Sequence, residues 1–228
     1  MIETLEDAIA TLLIGGAMIY PLFALAVAAI AIILDKAILY GGRTRLPSPL
    51  IDIVETYGFA WDDLKRELMG MSPRNYARRF VAVIVAHRAQ PAWWVESRAA
   101  DEASLIEHAL GRWLWVLETI VTAAPLLGLL GTIIGMIRAF NLFGRQGLVD
   151  PAGVTGGVAE ALIATAVGLF VALLALFAFN FFARRQAQFM DELERLGTRL
   201  IDHIRLDQEA ATAVAPPAAP ARQAAGRS

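Results

Sequence analysis

Residues 151–183, PAGVTGGVAEALIATAVGLFVALLALFAFNFFA, contain a single ionisable side chain, Glu160. A helix needs about 20 apolar residues to cross hydrocarbon, so this segment is long enough to span a bilayer. A carboxylate placed there costs on the order of several kcal/mol unless it is paired, faces a polar cavity or takes up a proton. A chain that keeps one at such a position is a candidate for moving ions or protons.

Two further blocks behave the same way. Thr11 to Leu34 carries no charge, and neither does Thr119 to Ile137. Three such blocks exceed what a soluble core in a chain of 228 residues could cover, which leaves the buried hairpin of a soluble protein as the weaker alternative. The 57% hydrophobic content is therefore a membrane composition, set against roughly 45–50% in soluble domains. A net charge of −2, with no basic run interleaved with aromatics, gives no footprint for nucleic acid. The absence of cysteine excludes disulfides, thiolate metal sites and cysteine nucleophiles. His87, His108 and His203 are scattered without metal-ligand spacing, so neither metal nor cofactor is expected. The acidic start MIETLEDAIA, ahead of a long apolar block, argues against a cleaved signal peptide.

Orientation follows from the basic residues. The N-terminus has none, whereas the connection after the first span carries Lys36, Arg43, Arg45, Lys65, Arg78 and Arg79 among others. The connection between the second and third spans has only Arg138 and Arg145, and basic residues resume at Arg184 and Arg185. The expected layout is a periplasmic N-terminus (1–10), a first span (11–35), a helical cytoplasmic loop (36–112) and a second span (113–140). A short periplasmic loop (141–152), a third span (153–183), a cytoplasmic amphipathic helix (184–210) and a disordered Ala/Pro-rich tail (211–228) complete it. The predicted class is an all-α membrane protein of three transmembrane helices, the second and third with long cytoplasmic extensions.

The long loop reads as helical. Leu50 to Thr56 and Trp61 to Leu68 form short helices separated by Gly58 and Gly70, and Ser72-Pro73 is a cap signal opening a helix to about Ala89. Between Ala92 and Pro125 there is no proline, so one helix is expected to run from the loop straight into the second span, with a kink at Pro125. Asp150-Pro151 is a second cap signal. Phe189, Leu193, Leu196, Leu200 and Ile204 make the apolar stripe of an amphipathic helix.

Inside the spans, small residues recur at helical spacing: Ala124, Gly128, Gly131, Thr132, Gly135 and Ala139 in the second, and Gly153, Gly157, Ala161, Thr165 and Gly168 in the third. Such stripes let helix backbones approach closely in a solvent that offers no hydrophobic drive for association. Thr132 lies about 12 Å inside Phe140 and Glu160 about 10 Å inside Gly153, so the two share a depth in the outer half. Thr165 is about 7.5 Å deeper than Glu160 and rotated from it by roughly 140°, so these two cannot share one narrow face. Against a conducting role stands a plainer one: Glu160 glues helices, with Arg138 as partner, and the threonines bond their own backbones. Asp35 and Glu118 read as interfacial. Three helices with so few polar groups cannot enclose a pore alone, so conduction requires a ring of copies or a partner's helix.

The second and third spans resemble the MotA/TolQ/ExbB proton channel family, in its ExbB/TolQ branch. The matching pieces are Ala124-Pro125, Gly128-Leu129-Leu130-Gly131-Thr132 and Gly135, followed by the run from Gly157 through Glu160 and Thr165 to Leu169. Three spans rather than four set it apart from MotA-like stator subunits. The resemblance implies a bacterial inner-membrane pentamer around the single-span helices of an ExbD- or TolR-like partner. That partner's membrane aspartate carries the proton, and proton flow energises a periplasm-spanning TonB- or TolA-like protein. It also implies that Thr132 and Thr165 face the lumen and that Glu160 is the membrane glutamate on the proton path. Gly128, Gly131, Gly135, Gly157, Ala161 and Gly168 are the expected packing positions. Leu174 stands where the family often has proline, so the resemblance does not carry a kink or gate to that position. The reading is a proton-channel subunit without bond-making chemistry. A non-conducting scaffold for a partner, or a stator-like channel using Na⁺, are the alternatives.

Overall fold

The computed structural model describes residues 16–56, 59–141 and 151–214. The predicted N-terminal segment, the first residues of the first span, Gly58, Arg145, Asp150 and the tail from residue 215 lie outside the described residues. Seven α-helices and no strand occur among the described residues: α1 (Ile19–Arg43), α2 (Ser48–Glu55), α3 (Trp61–Gly70), α4 (Tyr76–His87), α5 (Ala92–Gly111), α6 (Leu114–Asn141) and α7 (Pro151–Val214). Three helical stretches are long and apolar enough to cross a membrane, within Ile19–Arg43, Ala92–Phe140 and Gly153–Ala213, with mean hydropathies of 2.4, 2.2 and 2.7. The protein is an all-α membrane protein.

The chain forms two compact units. A spanning unit draws on Met1–Thr44 and Glu107–Phe189, and a loop unit on Arg45–Ile106 and Met190–Ser228. Helices α5 and α7 contribute residues to both.

In the spanning unit α1 packs on α6, and α6 lies against α7 at the glycine and alanine positions. Along the seam between α6 and α7 the buried residues are small, Ala124, Ala139, Ala161 and Ala164 among them, while larger ones such as Leu22, Leu117, Ile120 and Phe182 are buried elsewhere in the unit. Phe23, Leu126, Ile133, Phe170 and Phe177 point outward. Lipid solvates large apolar side chains as well as a protein interior does, so close backbone approach decides what goes inside.

The helix expected to run unbroken from Ala92 into the second span is interrupted. Pro125 sits within α6, and the interruption falls earlier, at Arg112-Trp113, where Trp113 takes φ = 68°. A bulky residue in the left-handed region ends a helix, because its Cβ crowds the following carbonyl. The carbonyls exposed by that break find donors from other helices. The ammonium of Lys36, on α1 and fully buried, donates to the Leu110 carbonyl, and the Gln186 amide donates to the Glu107 carbonyl at 3.4 Å. A cation at a helix C-terminus also meets the negative end of the helix dipole. Lys36, read from sequence as one loop charge among many, is a buried cap.

In the loop unit the signal at Ser72-Pro73 is displaced. Helix α4 begins at Tyr76, and Asn75 is its cap: Oδ1 accepts from the Ala77 and Arg78 amides at 2.8 and 3.3 Å, while Nδ2 donates to the Arg45 carbonyl at 2.7 Å. Asn75 wins because one side chain satisfies two orphan amides and a loop carbonyl at once; Ser72 instead closes the preceding turn through its carbonyl and the Asn75 amide, at 3.0 Å. The amphipathic stripe of Phe189, Leu193, Leu196, Leu200 and Ile204 is buried. Leu50, Leu64, Phe80 and Ile84 fill the interior of the loop unit. The helical run of α7 continues through residues 211–214, into the segment expected to be disordered.

Candidate functional site

The site is built on a helix pair held unusually close. A methyl group added at Gly168 of α7 would lie 2.6 Å from the Ala124 carbonyl oxygen of α6, and one at Gly128 would lie 3.1 Å from the Thr165 Cα. Toward the other end of the pair, a methyl at Gly131 would meet the Ala164 Cβ at 2.6 Å, one at Gly135 the Ala161 Cβ at 2.8 Å, and one at Gly157 the Ala139 Cβ at 2.9 Å. The small-residue stripes of the two spans face each other within one chain. No side chain larger than hydrogen fits at Gly128 or Gly168 without moving backbone.

Glu160 sits at the end of this seam. Its Oε1 is 2.9 Å from Nη1 of Arg138, which projects from the last turn of α6. The carboxylate is largely covered, at 22% side-chain exposure, and the guanidinium is half exposed at 52%. An arginine cannot deprotonate, so it offers a permanent counter-charge to an ionised Glu160. That pairing lowers the cost of keeping a carboxylate among apolar groups. Gly16, just ahead of α1, lies against the same carboxyl group, so that three chain segments converge on Glu160.

The threonines are placed differently from each other. Thr165 Oγ1 donates across the helix pair to the Gly128 carbonyl at 3.0 Å, whereas Thr132 Oγ1 donates within its own helix to the Leu129 carbonyl at 2.6 Å. Each hydroxyl keeps lone pairs free to accept a further bond. Among the described residues, neither threonine bonds to Glu160; the structure brings Glu160 to Arg138 and Thr165 to Gly128, and leaves Thr132 on its own backbone. Asp35 and Glu118 are exposed on the single chain. No three His, Asp or Glu side chains converge as a metal site among the described residues.

Sequence reasoning passed over Gly16. The glycine pair in LLIGGAMIY was the available signal, but a positive φ and a three-dimensional neighbour are what give Gly16 meaning.

Comparison with known proteins agrees with the resemblance of the second and third spans. Residues 74–195 match the MotA/TolQ/ExbB proton channel family. An ExbB-like biopolymer transport protein of Synechocystis is 31% identical over 174 residues, covering 74% of this chain and 81% of the relative. The biopolymer transport protein ExbB of Xanthomonas campestris is 49% identical over 69 residues, 30% of this chain and 27% of the relative. That of Aquifex aeolicus is 38% identical over 80 residues, covering 35% and 54%.

Proposed function

The chain belongs to the MotA/TolQ/ExbB proton channel family, and from that premise we propose that it is the proton-channel subunit of an ExbB/TolQ-type motor in a bacterial inner membrane. In this reading it uses the proton motive force to energise a periplasm-spanning TonB- or TolA-like partner. The observation that carries the proposal is Glu160, the lone ionisable group of the third span, held by Arg138 at the end of a tightly packed helix pair.

The chemistry follows from that pair. Ionised, Glu160 is compensated by Arg138; protonated, it no longer holds the guanidinium, which is left without its counter-charge. Glu160 and Arg138 thus form an element with two arrangements, and a proton passing through selects between them. A unit charge crossing 100 mV releases about 2.3 kcal/mol, so a few protons suffice for a conformational cycle. One chain cannot wall off such a path, because Leu126, Leu130, Ile133, Phe170 and Phe177 remain exposed on it. Further copies, a pentamer by analogy with the family, together with lipid, would cover those faces. A single-span ExbD- or TolR-like partner with a membrane aspartate would sit in the lumen beside Thr132 and Thr165. The N-terminus would be periplasmic and the C-terminus cytoplasmic.

The test is proton flux into liposomes containing this chain with its single-span partner. Glu160→Gln keeps shape and hydrogen bonding but cannot ionise, and flux is expected to fall at least tenfold with the assembled oligomer intact. A second reading has its own support: the Glu160–Arg138 bridge and the Thr132 bond to its own backbone suit a non-conducting scaffold. Flux near wild type in Glu160→Gln would favour that scaffold.

A further inference from the structure

We propose that Gly16 is a positioning residue that seats the Glu160 carboxylate against Arg138, so that the entry to the first span is part of the site. The proposal rests on the reading of Glu160 as part of the proton path. Two independent features of Gly16 disfavour a side chain there unless the Glu160 carboxylate moves. Its φ is +67°, in the left-handed region that side chains disfavour. A Cβ added there would also overlap Glu160, colliding with Oε1 and lying 3.1 Å from Cγ. That second constraint is about space, and it falls on the one oxygen that binds Arg138.

The segment carrying Gly16 is held from both sides. The Gly16 carbonyl accepts from the Ile19 amide at 3.2 Å and the Met18 carbonyl from the Leu22 amide at 3.4 Å, which tie the turn to α1. Met18 in turn lies against α6, where a Cβ added to Gly131 would be 3.4 Å from the Met18 Cβ. So the turn touches α7 through Gly16 and α6 through Met18, bridging the two helices whose side chains make the ion pair. A carboxylate pressed on by backbone on one side and bonded by a guanidinium on the other has little room to choose another rotamer. Pre-organisation of that kind keeps a reacting group in a single arrangement.

The full chain in lipid bilayers, assembled with its partner, allows a direct test. The infrared difference between wild type and Glu160→Gln isolates the Glu160 carboxylate band. Gly16→Ala should move that band as Arg138→Gln does, and proton flux should fall several-fold while native mass spectrometry shows an unchanged oligomer. Gly16→Asn separates the two constraints, since asparagine tolerates positive φ but brings a side chain; it should behave like Gly16→Ala. In the double variant Gly16→Ala with Glu160→Asp, the shorter acid relieves the overlap, so flux should be no lower than in Glu160→Asp alone. If Gly16→Ala fails to assemble, recovery of assembly in that double variant supports the seat, and continued failure overturns it. A wild-type carboxylate band in Gly16→Ala, or wild-type flux there while Glu160→Gln is inactive, also overturns it. Normal flux in Glu160→Gln with a shifted band in Gly16→Ala would sink the proton-path reading instead and leave the seat standing.

Discussion

The spanning unit and the loop unit solve the same packing problem in opposite ways. In the loop unit, large apolar side chains such as Leu64, Phe80, Leu193 and Leu200 are buried. Arg205–Glu96, at 3.0 Å, pairs two half-exposed side chains at its surface, and Arg79–Glu102, at 2.7 Å, joins a half-exposed arginine to a largely covered glutamate. In the spanning unit alanine and glycine line the seam between α6 and α7, Leu126, Phe170 and Phe177 face outward, and Arg138–Glu160 is an ion pair joining the two helices. Water drives the first arrangement by penalising apolar surface. Hydrocarbon imposes no such penalty, so the second is held by van der Waals contact between backbones and by a few polar bonds. The same side chain is therefore worth different amounts in the two units, and that difference can be measured.

The largest effect is expected where helix backbones touch. Gly168→Leu places a side chain where even a methyl would stand 2.6 Å from a carbonyl oxygen. It should prevent α6 and α7 from pairing and abolish the folded, assembled protein on native mass spectrometry. Leucine at the open position Gly156, where an added Cβ meets nothing within 4 Å, is the control and should assemble normally. Equal tolerance of both variants would break the claim that backbone contact holds this unit.

The next effect belongs to the loop unit. Leu200→Ala empties a fully buried site and should destabilise by about 2–5 kcal/mol, as large-to-small core changes do. Leu169→Ala in the spanning unit, exposed on the single chain, should leave the thermal unfolding of the detergent-solubilised protein nearly unchanged. Similar losses in the two would show that the outward faces of the spans are packed as tightly as a water-driven core.

Smaller again are the threonines. Thr165→Val removes a bond between helices and should cost about 0.6 kcal/mol, the usual scale for such bonds in membranes. Thr132→Val removes only a bond to its own helix backbone, whose ladder survives, and should be close to neutral in the same unfolding assay. An equal cost would contradict the distinct placements of the two hydroxyls.

The smallest global effect is expected at Lys36. Lys36→Met keeps the apolar stem and removes both a buried charge and the donor to Leu110; the lost bond and the relieved desolvation offset each other. Stability should change little, yet amide exchange around Arg112 to Leu114 should quicken as the end of α5 loses its cap. Unaltered exchange there would mean that Trp113 alone sets the break.

Much of this protein was legible in one dimension because a bilayer reads one-dimensional properties: length, mean hydropathy and isolated charge. The three apolar helical stretches, the stripe from Phe189 to Ile204 and the lone carboxylate within the third stretch follow from those alone, and the glycine spacing announced that helices would approach. Other features could not be read that way. The absence of proline favoured an unbroken helix through Arg112, yet Lys36, far away in the chain, supplies a donor to the Leu110 carbonyl in the last turn of α5. Asn75 rather than Ser72 caps α4 because the Arg45 carbonyl is within its reach. Which hydroxyl crosses between helices and which bends back to its own, and that Gly16 lies on Glu160, depend on the rotation of each helix about its axis. A pattern with a period of 3.6 residues defines a face but not the neighbour that face meets. That neighbour is chosen by contacts between segments remote in sequence, and only the assembled tertiary structure makes the choice.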